Sequence, residues 1–280
     1  MILITGADGQ LGRDVAKEAK ARGISILCTD KGELDITDEK SVMNFLELHR
    51  PDAVIHCAAF TDVNGAESNA ELCMKINAYG AGCVAKACEK VGTRMIYIST
   101  DYVFDGNNPN FYETDCETNP LSAYGRSKLE GEKLVRKYCS RSYIVRTSWL
   151  FGGTNKNFIL TMLKLAIEKD AICVVADQFG SPTYTVDLAR LLVDMALTDK
   201  YGTYHATNEG FCSWYELASE ALSCAECKAK AVPICSKDFP APAKRPLNSC
   251  LSKDCLDRNG FKRLPDWRNA VKRYIYDITK

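Results

Sequence analysis

The chain has 280 residues, 46% hydrophobic and 26% charged, with Lys+Arg and Asp+Glu balanced at 36 each. That is the composition of a soluble globular protein with room for one large core or a main domain and a smaller lobe. The charge balance removes the electrostatic case for a nucleic-acid or anionic-membrane partner. No apolar run approaches the ~20 residues that span a bilayer. The start, Met1-Ile2-Leu3-Ile4-Thr5-Gly6, is already a strand and lacks the basic segment and cleavage site of an export signal. The expected location is the cytoplasm.

In chain order, the first half alternates short β-rich runs with helical patterns. Strands are expected at Ile2–Thr5, Ile24–Thr29, Ala53–Cys57, Arg94–Ser99 and Tyr143–Thr147, and helices at Leu11–Arg22, Asp38–His49, Ala70–Val91 and Ala123–Cys139. Continuous apolar strands separated by helices predict a parallel sheet covered on both faces, a doubly wound α/β (Rossmann) fold over residues 1–150. Beyond Trp149 the pattern loosens. A helix at Asn157–Lys169, a strand at Ile172–Val175, a helix at Thr185–Leu197 and a last helix at Asp266–Ile278 remain readable. Residues 151–280 are expected to form mainly a small C-terminal substrate-binding lobe, with elements returning to the first domain. The stretch Val232–Ser249 holds Pro233, Pro240, Pro242 and Pro246, four of the nine prolines, and reads as an extended loop reaching over a site.

Fourteen cysteines in a chain of this length without an export signal read as free thiols; Cys28, Cys57 and Cys173, in apolar strand-like runs, are expected to pack as small hydrophobes. Cys224 and Cys227 form a lone CxxC that no second pair completes into a zinc site. No metal ligands are expected.

Gly6-Ala7-Asp8-Gly9-Gln10-Leu11-Gly12 follows a strand and opens a helix. There Gly6 permits the tight turn, Gly9 lets the backbone approach a pyrophosphate, and Gly12 allows close helix–strand packing. The helix N-terminus offers free N–H groups to the anion. The second strand ends at Asp30, placed to accept ribose hydroxyls and to repel a 2′-phosphate. Asp30 therefore favours NADH, while Lys31 and Arg13 nearby leave NADPH open. The plainer reading of Asp30 is a strand-end turn residue. Asp38 is the expected N-cap of the next helix.

Ser99-Thr100-Asp101-Tyr102 stands at the carboxyl end of the fourth strand, the edge where open α/β sheets bind ligands. Tyr124-Gly125-Arg126-Ser127-Lys128 puts a phenol and an ammonium on one helix face. The ammonium is expected to lower the phenol's pKa toward the range of acid–base work. A tyrosine beside a lysine on a helix is commonplace; the order glycine turn, strand-end hydroxyl, then YxxxK is not.

The GxxGxxG spacing with Thr100, Tyr124 and Lys128 resembles the short-chain dehydrogenase/reductase superfamily. Ser99-Thr100-Asp101-Tyr102-Val103-Phe104-Asp105-Gly106 and Arg146-Thr147-Ser148-Trp149-Leu150-Phe151 narrow the resemblance to the dTDP-4-dehydrorhamnose reductase family. Ala58-Ala59-Phe60-Thr61-Asp62-Val63, Asp177-Gln178-Phe179-Gly180-Ser181-Pro182-Thr183 and Arg245-Pro246-Leu247-Asn248-Ser249 agree with it, so the match spans nearly the whole chain.

The resemblance implies reduction of the 4-keto group of a deoxysugar nucleotide, with Thr100, Tyr124 and Lys128 catalytic. Gln10, Leu11, Asp35, Ile36, Ala58, Ala59 and Thr61 join the glycines, Asp30, Tyr124 and Lys128 at the cofactor, Asp35 meeting the adenine amino group. Cys57 stands where the superfamily usually has Asn. Val63, Thr100, Asp101, Tyr102 and Trp149 would surround the sugar, and Arg245 would meet its diphosphate. Trp149 could instead be packed core, and Arg245 an exposed loop residue. Some relatives are described as magnesium-dependent, although no acidic cluster marks such a site here. A homodimer stays open. The competing readings are a noncatalytic dinucleotide-binding subunit, to which an intact triad would be superfluous, and a sugar-nucleotide epimerase or dehydratase, which wants further acid/base residues.

Overall fold

A computed structural model describes residues 1–154 and 156–280. The elements of the first half are β1 (Ile2–Thr5), α1 (Gln10–Ala21), β2 (Ile26–Thr29), α2 (Glu39–His49), β3 (Ala53–His56), α3 (Gly65–Ser68), α4 (Ala70–Met74), α5 (Ala81–Val91), β4 (Arg94–Thr100), α6 (Ala123–Tyr138) and β5 (Ser142–Thr147). The second half adds β6 (Leu150–Phe151), α7 (Phe158–Glu168), β7 (Ala171–Val175), β8 (Phe179–Gly180), β9 (Thr183–Tyr184), α8 (Thr185–Ala196), β10 (Gly202–His205) and β11 (Cys212–Ser213). It ends with α9 (Trp214–Cys224), β12 (Lys230–Ile234), α10 (Asp254–Arg258) and α11 (Trp267–Thr279).

Six strands form one parallel sheet in the order β10-β5-β4-β3-β1-β2. Alternation along each strand loads both faces. Ile2, Ile4, Ile55 and Ile96 meet α1 and α8 on one side, while Leu3, Val54, Met95 and Ile144 meet α2, α5 and α6 on the other. The doubly wound fold expected from the sequence is the one formed. The chain runs from β1 outward to β2, then returns past β1 to β3, so the strand order reverses there and opens a crevice at the carboxyl ends.

The helix expected over 70–91 is interrupted by a π-helical turn at Lys75–Gly80. The Asn77 amide there accepts the Phe60 N–H at 2.8 Å and donates to the Phe60 carbonyl at 3.0 Å, while the Asn77 carbonyl accepts the Tyr97 hydroxyl at 3.0 Å. These tertiary bonds compete with the regular helical ladder, and a one-turn π-bulge accommodates them.

The C-terminal half divides its loyalties. α8 packs on α1 and β10 adds the sixth strand to the sheet, an element the sequence reading missed. Helix α10 packs on β10, while α7, α9 and α11 pack around Phe151, Trp267 and Tyr274 beside three two-stranded sheets, β12-β7, β11-β8 and β6-β9. The proline-rich stretch begins not as loop but as β12, with Pro233 inside it. Among the described residues β12 pairs only with β7, and a proline is tolerated on an edge strand whose N–H side is not needed. Apart from a 3-10 turn at Ser236–Asp238 the rest of the stretch is irregular, as expected, and Pro246 and Leu247 close against Gly106.

All fourteen cysteines are free thiols. Cys28 and Cys173 are exposed, contrary to the expected packing, because β2 is the sheet edge and β7 belongs to a two-stranded sheet with an open face. Among the described residues no helix is long and apolar enough to cross a membrane, and no cluster of three or more His, Cys, Asp or Glu could hold a metal ion.

Candidate active site

A cleft of about 860 Å³ runs along the carboxyl ends of the strands. At one end lies the turn after β1. Gly6 has φ +64°, and the Gly9 N–H closes onto the Gly6 carbonyl at 3.1 Å. A Cβ on Gly12 would stand 2.2 Å from that same carbonyl oxygen, so only glycine lets α1 begin so close to the strand. The N-cap, Gly9, has no side chain to satisfy the first N–H groups, and they face the cleft as an anion site. Asp30 ends β2 on the cleft wall, and its Oδ2 accepts the Asp8 N–H at 2.5 Å. This donor set, an uncapped helix N-terminus with an acid at the second strand end, fits a dinucleotide. Asp35 also lines the wall, held below the usual carboxylate range by the Thr37 N–H (2.9 Å) and hydroxyl (2.8 Å).

At the other end, Thr100 finishes β4 and Tyr124 and Lys128 rise from the first two turns of α6. Ser122 caps that helix, its hydroxyl accepting the Gly125 N–H at 3.1 Å, and Glu67 accepts the Ala123 N–H at 2.8 Å. A buried ion pair ties α6 to the sheet behind the site. Glu132 accepts the Ser99 hydroxyl at 2.6 Å and two Arg146 nitrogens at 2.9 Å each. Ser99 and Thr100 are thereby fixed relative to the helix that carries Tyr124. Asp101 is buried beside them, its Oδ1 accepting the Thr100 hydroxyl at 2.9 Å. Burial raises its pKa to about 6. Tyr102 meets Tyr124 edge to face, with ring centres 6.0 Å apart.

The expected effect of Lys128 on Tyr124 is not what the structure shows. The Tyr124 phenol is pushed up, by burial first and by the neighbouring Asp101 carboxylate next; the Thr100 hydroxyl pulls the other way. Lys128 is itself pushed down to about 8 by burial. Its ammonium lies 4.6 Å over the Tyr97 ring and acts on His56, Cys57 and Cys73 instead. A desolvated lysine weakens its own charge before it can help a neighbour.

Trp149 adopts φ +49°, a conformation that costs a bulky residue energy and tends to mark functional sites. Its indole stacks on Trp214 at 3.6 Å and 9° and lies directly over Gly180, where a Cβ would come within 2.6 Å of the ring. Trp149 therefore lines the wall of the cleft while also packing against the core around Phe151 and Trp267.

Every residue expected at the cofactor or the sugar lines this one cleft except Arg245. Arg245 is not among the lining residues; it donates to Asn64 Oδ1 at 3.2 Å and also interacts with the Tyr102 hydroxyl. Lys75, Lys156 and Trp214 line the cleft but were missed. Nothing in the sequence links Trp214 to Trp149; the Ser213–Glu216 capping box that opens α9 is a visible local signal, but it marks a helix start and not a site.

One family model, described as the RmlD substrate binding domain, matches residues 1–280. The chain belongs to that family. A dTDP-4-dehydrorhamnose reductase from Aggregatibacter actinomycetemcomitans is 40% identical over 286 residues, covering 97% of this chain and 97% of its own. A dTDP-4-dehydrorhamnose reductase structure from Clostridium acetobutylicum superposes with a TM-score of 0.97 at 42% identity, covering 100% of this chain and 99% of that one. Another, from Bacillus anthracis and solved in complex with NADP, gives 0.96 at 42% identity, with 99% and 98% covered. The resemblance read from the motifs is borne out, and the chain carries the RmlD substrate binding domain family's fold from end to end.

Proposed function

We propose that this chain reduces the 4-keto group of dTDP-4-dehydro-L-rhamnose to dTDP-L-rhamnose, taking hydride from NAD(P)H. The observation that carries the reading is the single cleft joining the glycine turn to Thr100, Tyr124 and Lys128. The dinucleotide, when bound, supplies the hydride. Gly6, Gly9, Gln10, Leu11 and Gly12 would hold its pyrophosphate, Asp30 its adenosine ribose, and Asp35, Ile36, Ala58, Ala59 and Thr61 its adenine side. Thr100 and Tyr124 hold the substrate carbonyl oxygen. As that oxygen becomes an alkoxide, Tyr124 gives it a proton; a phenol with a raised pKa is fully protonated at neutral pH and ready to donate. Lys128 steadies the nicotinamide ribose. Asp101, Tyr102, Val63 and Trp149 hold the sugar, with the indole offering an apolar face to the ring.

Arg245 acts here through Tyr102, since it stands outside the cleft. Lys156, on the cleft wall, is the cation better placed for a phosphate. Asp30 favours NADH, and the NADP complex of the Bacillus anthracis relative supports NADPH use as well. The same reading puts the reaction in the cytoplasm and the elements α7, α9 and α11 on the sugar-nucleotide side. It admits a homodimer, which sedimentation would reveal.

The deciding experiment is NADH oxidation with dTDP-4-dehydro-L-rhamnose, counter-screened with other 4-keto sugar nucleotides. Tyr124→Phe should lose about 1,000-fold in kcat with NADH affinity nearly intact. Turnover that survives this change would remove Tyr124 as the acid.

A further inference from the structure

Trp149 carries two features that a residue left to itself avoids. Its backbone sits at φ +49°, and its ring lies on that of Trp214 with centres 3.6 Å apart and planes 9° from parallel. Aromatic pairs favour an offset or edge-to-face contact over a close sandwich, because the two negative faces repel. Tyr102 and Tyr124, at the same end of the cleft, obey that preference and meet at 81°. A strained backbone and a close sandwich persist on one residue only where the surroundings over-determine them.

Those surroundings are one small unit. Cys212 and Ser213 of β11 pair with Gly180 and Phe179 of β8, and Trp214 follows directly as the first residue of α9. The capping box fixes that turn: the Ser213 hydroxyl accepts the Glu216 N–H at 3.1 Å, and the Glu216 carboxylate accepts the Ser213 N–H at 2.7 Å. The Phe158 ring leans on Trp214 at 4.6 Å and 53°. Gly180, from the other strand of the pair, lies against the Trp149 indole. The Trp149 main chain is tied separately, its carbonyl accepting the Thr183 N–H at 3.2 Å and Leu150 pairing with Thr183 of β9. The backbone of Trp149 is thus placed by β9, and its ring by β8 and Trp214. Both indoles are half-buried and both line the cleft.

We propose that Trp214 is a positioning residue for the sugar nucleotide, holding the Trp149 indole in the orientation that the sugar ring meets. This rests on the reading that Trp149 contacts the sugar. An indole free to turn about its two side-chain bonds would have to be ordered when substrate arrives, and that ordering weakens binding. With Trp214 stacked on it, the ring is ordered beforehand. The gain is the same in the ground state and the transition state, so it belongs to the sugar KM and not to kcat.

Measured with NADH and dTDP-4-dehydro-L-rhamnose, Trp214→Ala should raise the sugar KM about tenfold, the order of one aromatic pair. It should leave kcat within a factor of about 3. Trp214→Phe, which restores a flat ring, should recover most of the loss. A double-mutant cycle isolates the route: in a Trp149→Ala background, Trp214→Ala should add nothing further to the KM. Circular dichroism gives a separate signature, since two stacked indoles couple their transitions into paired bands of opposite sign. That couplet should be present in the unaltered enzyme and vanish in Trp214→Ala. The proposal is overturned if the couplet vanishes while the sugar KM holds, if the two substitutions add in the cycle, or if Trp214→Ala lowers thermal stability alone. A sugar KM unchanged in Trp149→Ala would overturn it too, by removing the contact through which Trp214 acts. Should Trp214→Ala fail to fold, Trp214→Leu fills the space without a flat face and decides by the same KM and the same cycle. Absence of any turnover in the unaltered enzyme would instead reject the reductase reading itself.

Discussion

The two ends of the cleft are built in different ways. The end proposed for the dinucleotide is local: Gly6 to Gly12, Asp30 and Asp35 belong to the first two strand-to-helix connections, and each bond that shapes them spans few residues or one strand pair. The end proposed for the sugar is assembled from afar. Thr100 to Tyr102, Tyr124, Trp149, Gly180, Trp214 and Ser249 come from six separate segments, held by a stacked indole pair, a strained backbone at Trp149 and the buried Glu132–Arg146 pair. The first end needs only chain geometry, while the second needs the whole fold to be right.

Substitutions at single glycines should separate the two ends. The largest effect is expected from Gly12→Ala, whose Cβ would overlap the Gly6 carbonyl and push α1 off the turn. Affinity for NADH should fall about 100-fold, roughly 3 kcal/mol, measured by fluorescence titration; affinity within twofold of the parent would mean the turn can relax. Gly180→Ala should do the converse. Its Cβ would displace the Trp149 ring, raising the sugar KM about tenfold while NADH binding stays put. A parallel loss of NADH affinity would show that the two ends are coupled.

Smaller still is the effect at Asp30. Asp30→Ala removes the acid proposed to face the adenosine ribose and frees the Asp8 N–H, so the NADPH-to-NADH ratio in kcat/KM should rise about fivefold. An unchanged ratio would assign that discrimination to other residues, with Lys75 the first to examine.

At neutral pH the least visible test concerns two buried histidines, one beneath each end. His56 is hydrogen-bonded to Thr5 at 2.8 Å, and His205 lies 3.4 Å from Arg146. Burial holds both near a pKa of about 3, against roughly 6.5 in the unfolded chain. Their contribution is therefore complete above the unfolded value and is lost as pH falls, because the unfolded chain then binds protons that the fold refuses. Stability to denaturant should drop below pH ~6.5 by up to about 1.4 kcal/mol per pH unit for each histidine. His205→Gln should flatten that slope, and an unaltered slope would place the acid sensitivity elsewhere.

By itself the sequence determined the parallel sheet and its first five strands, the glycine turn and the residue types of the reacting centre. Those features follow from periodicity and from short-range steric demands, which a linear pattern records. Only the tertiary structure decided the rest. β10 is too short and too polar at Gly202-Thr203 to announce itself as the sixth strand, and pairing with β5 makes it one. The π-turn at Asn77 exists because of bonds to Phe60 and Tyr97. The YxxxK spacing correctly put Tyr124 and Lys128 on one face, but spacing says nothing of burial, and burial sets both pKa values against the simple expectation. Trp214 was likewise invisible, and Arg245, which the sequence left between a diphosphate ligand and a loop residue, depended on its contact with Asn64, because these contacts join residues more than sixty positions apart.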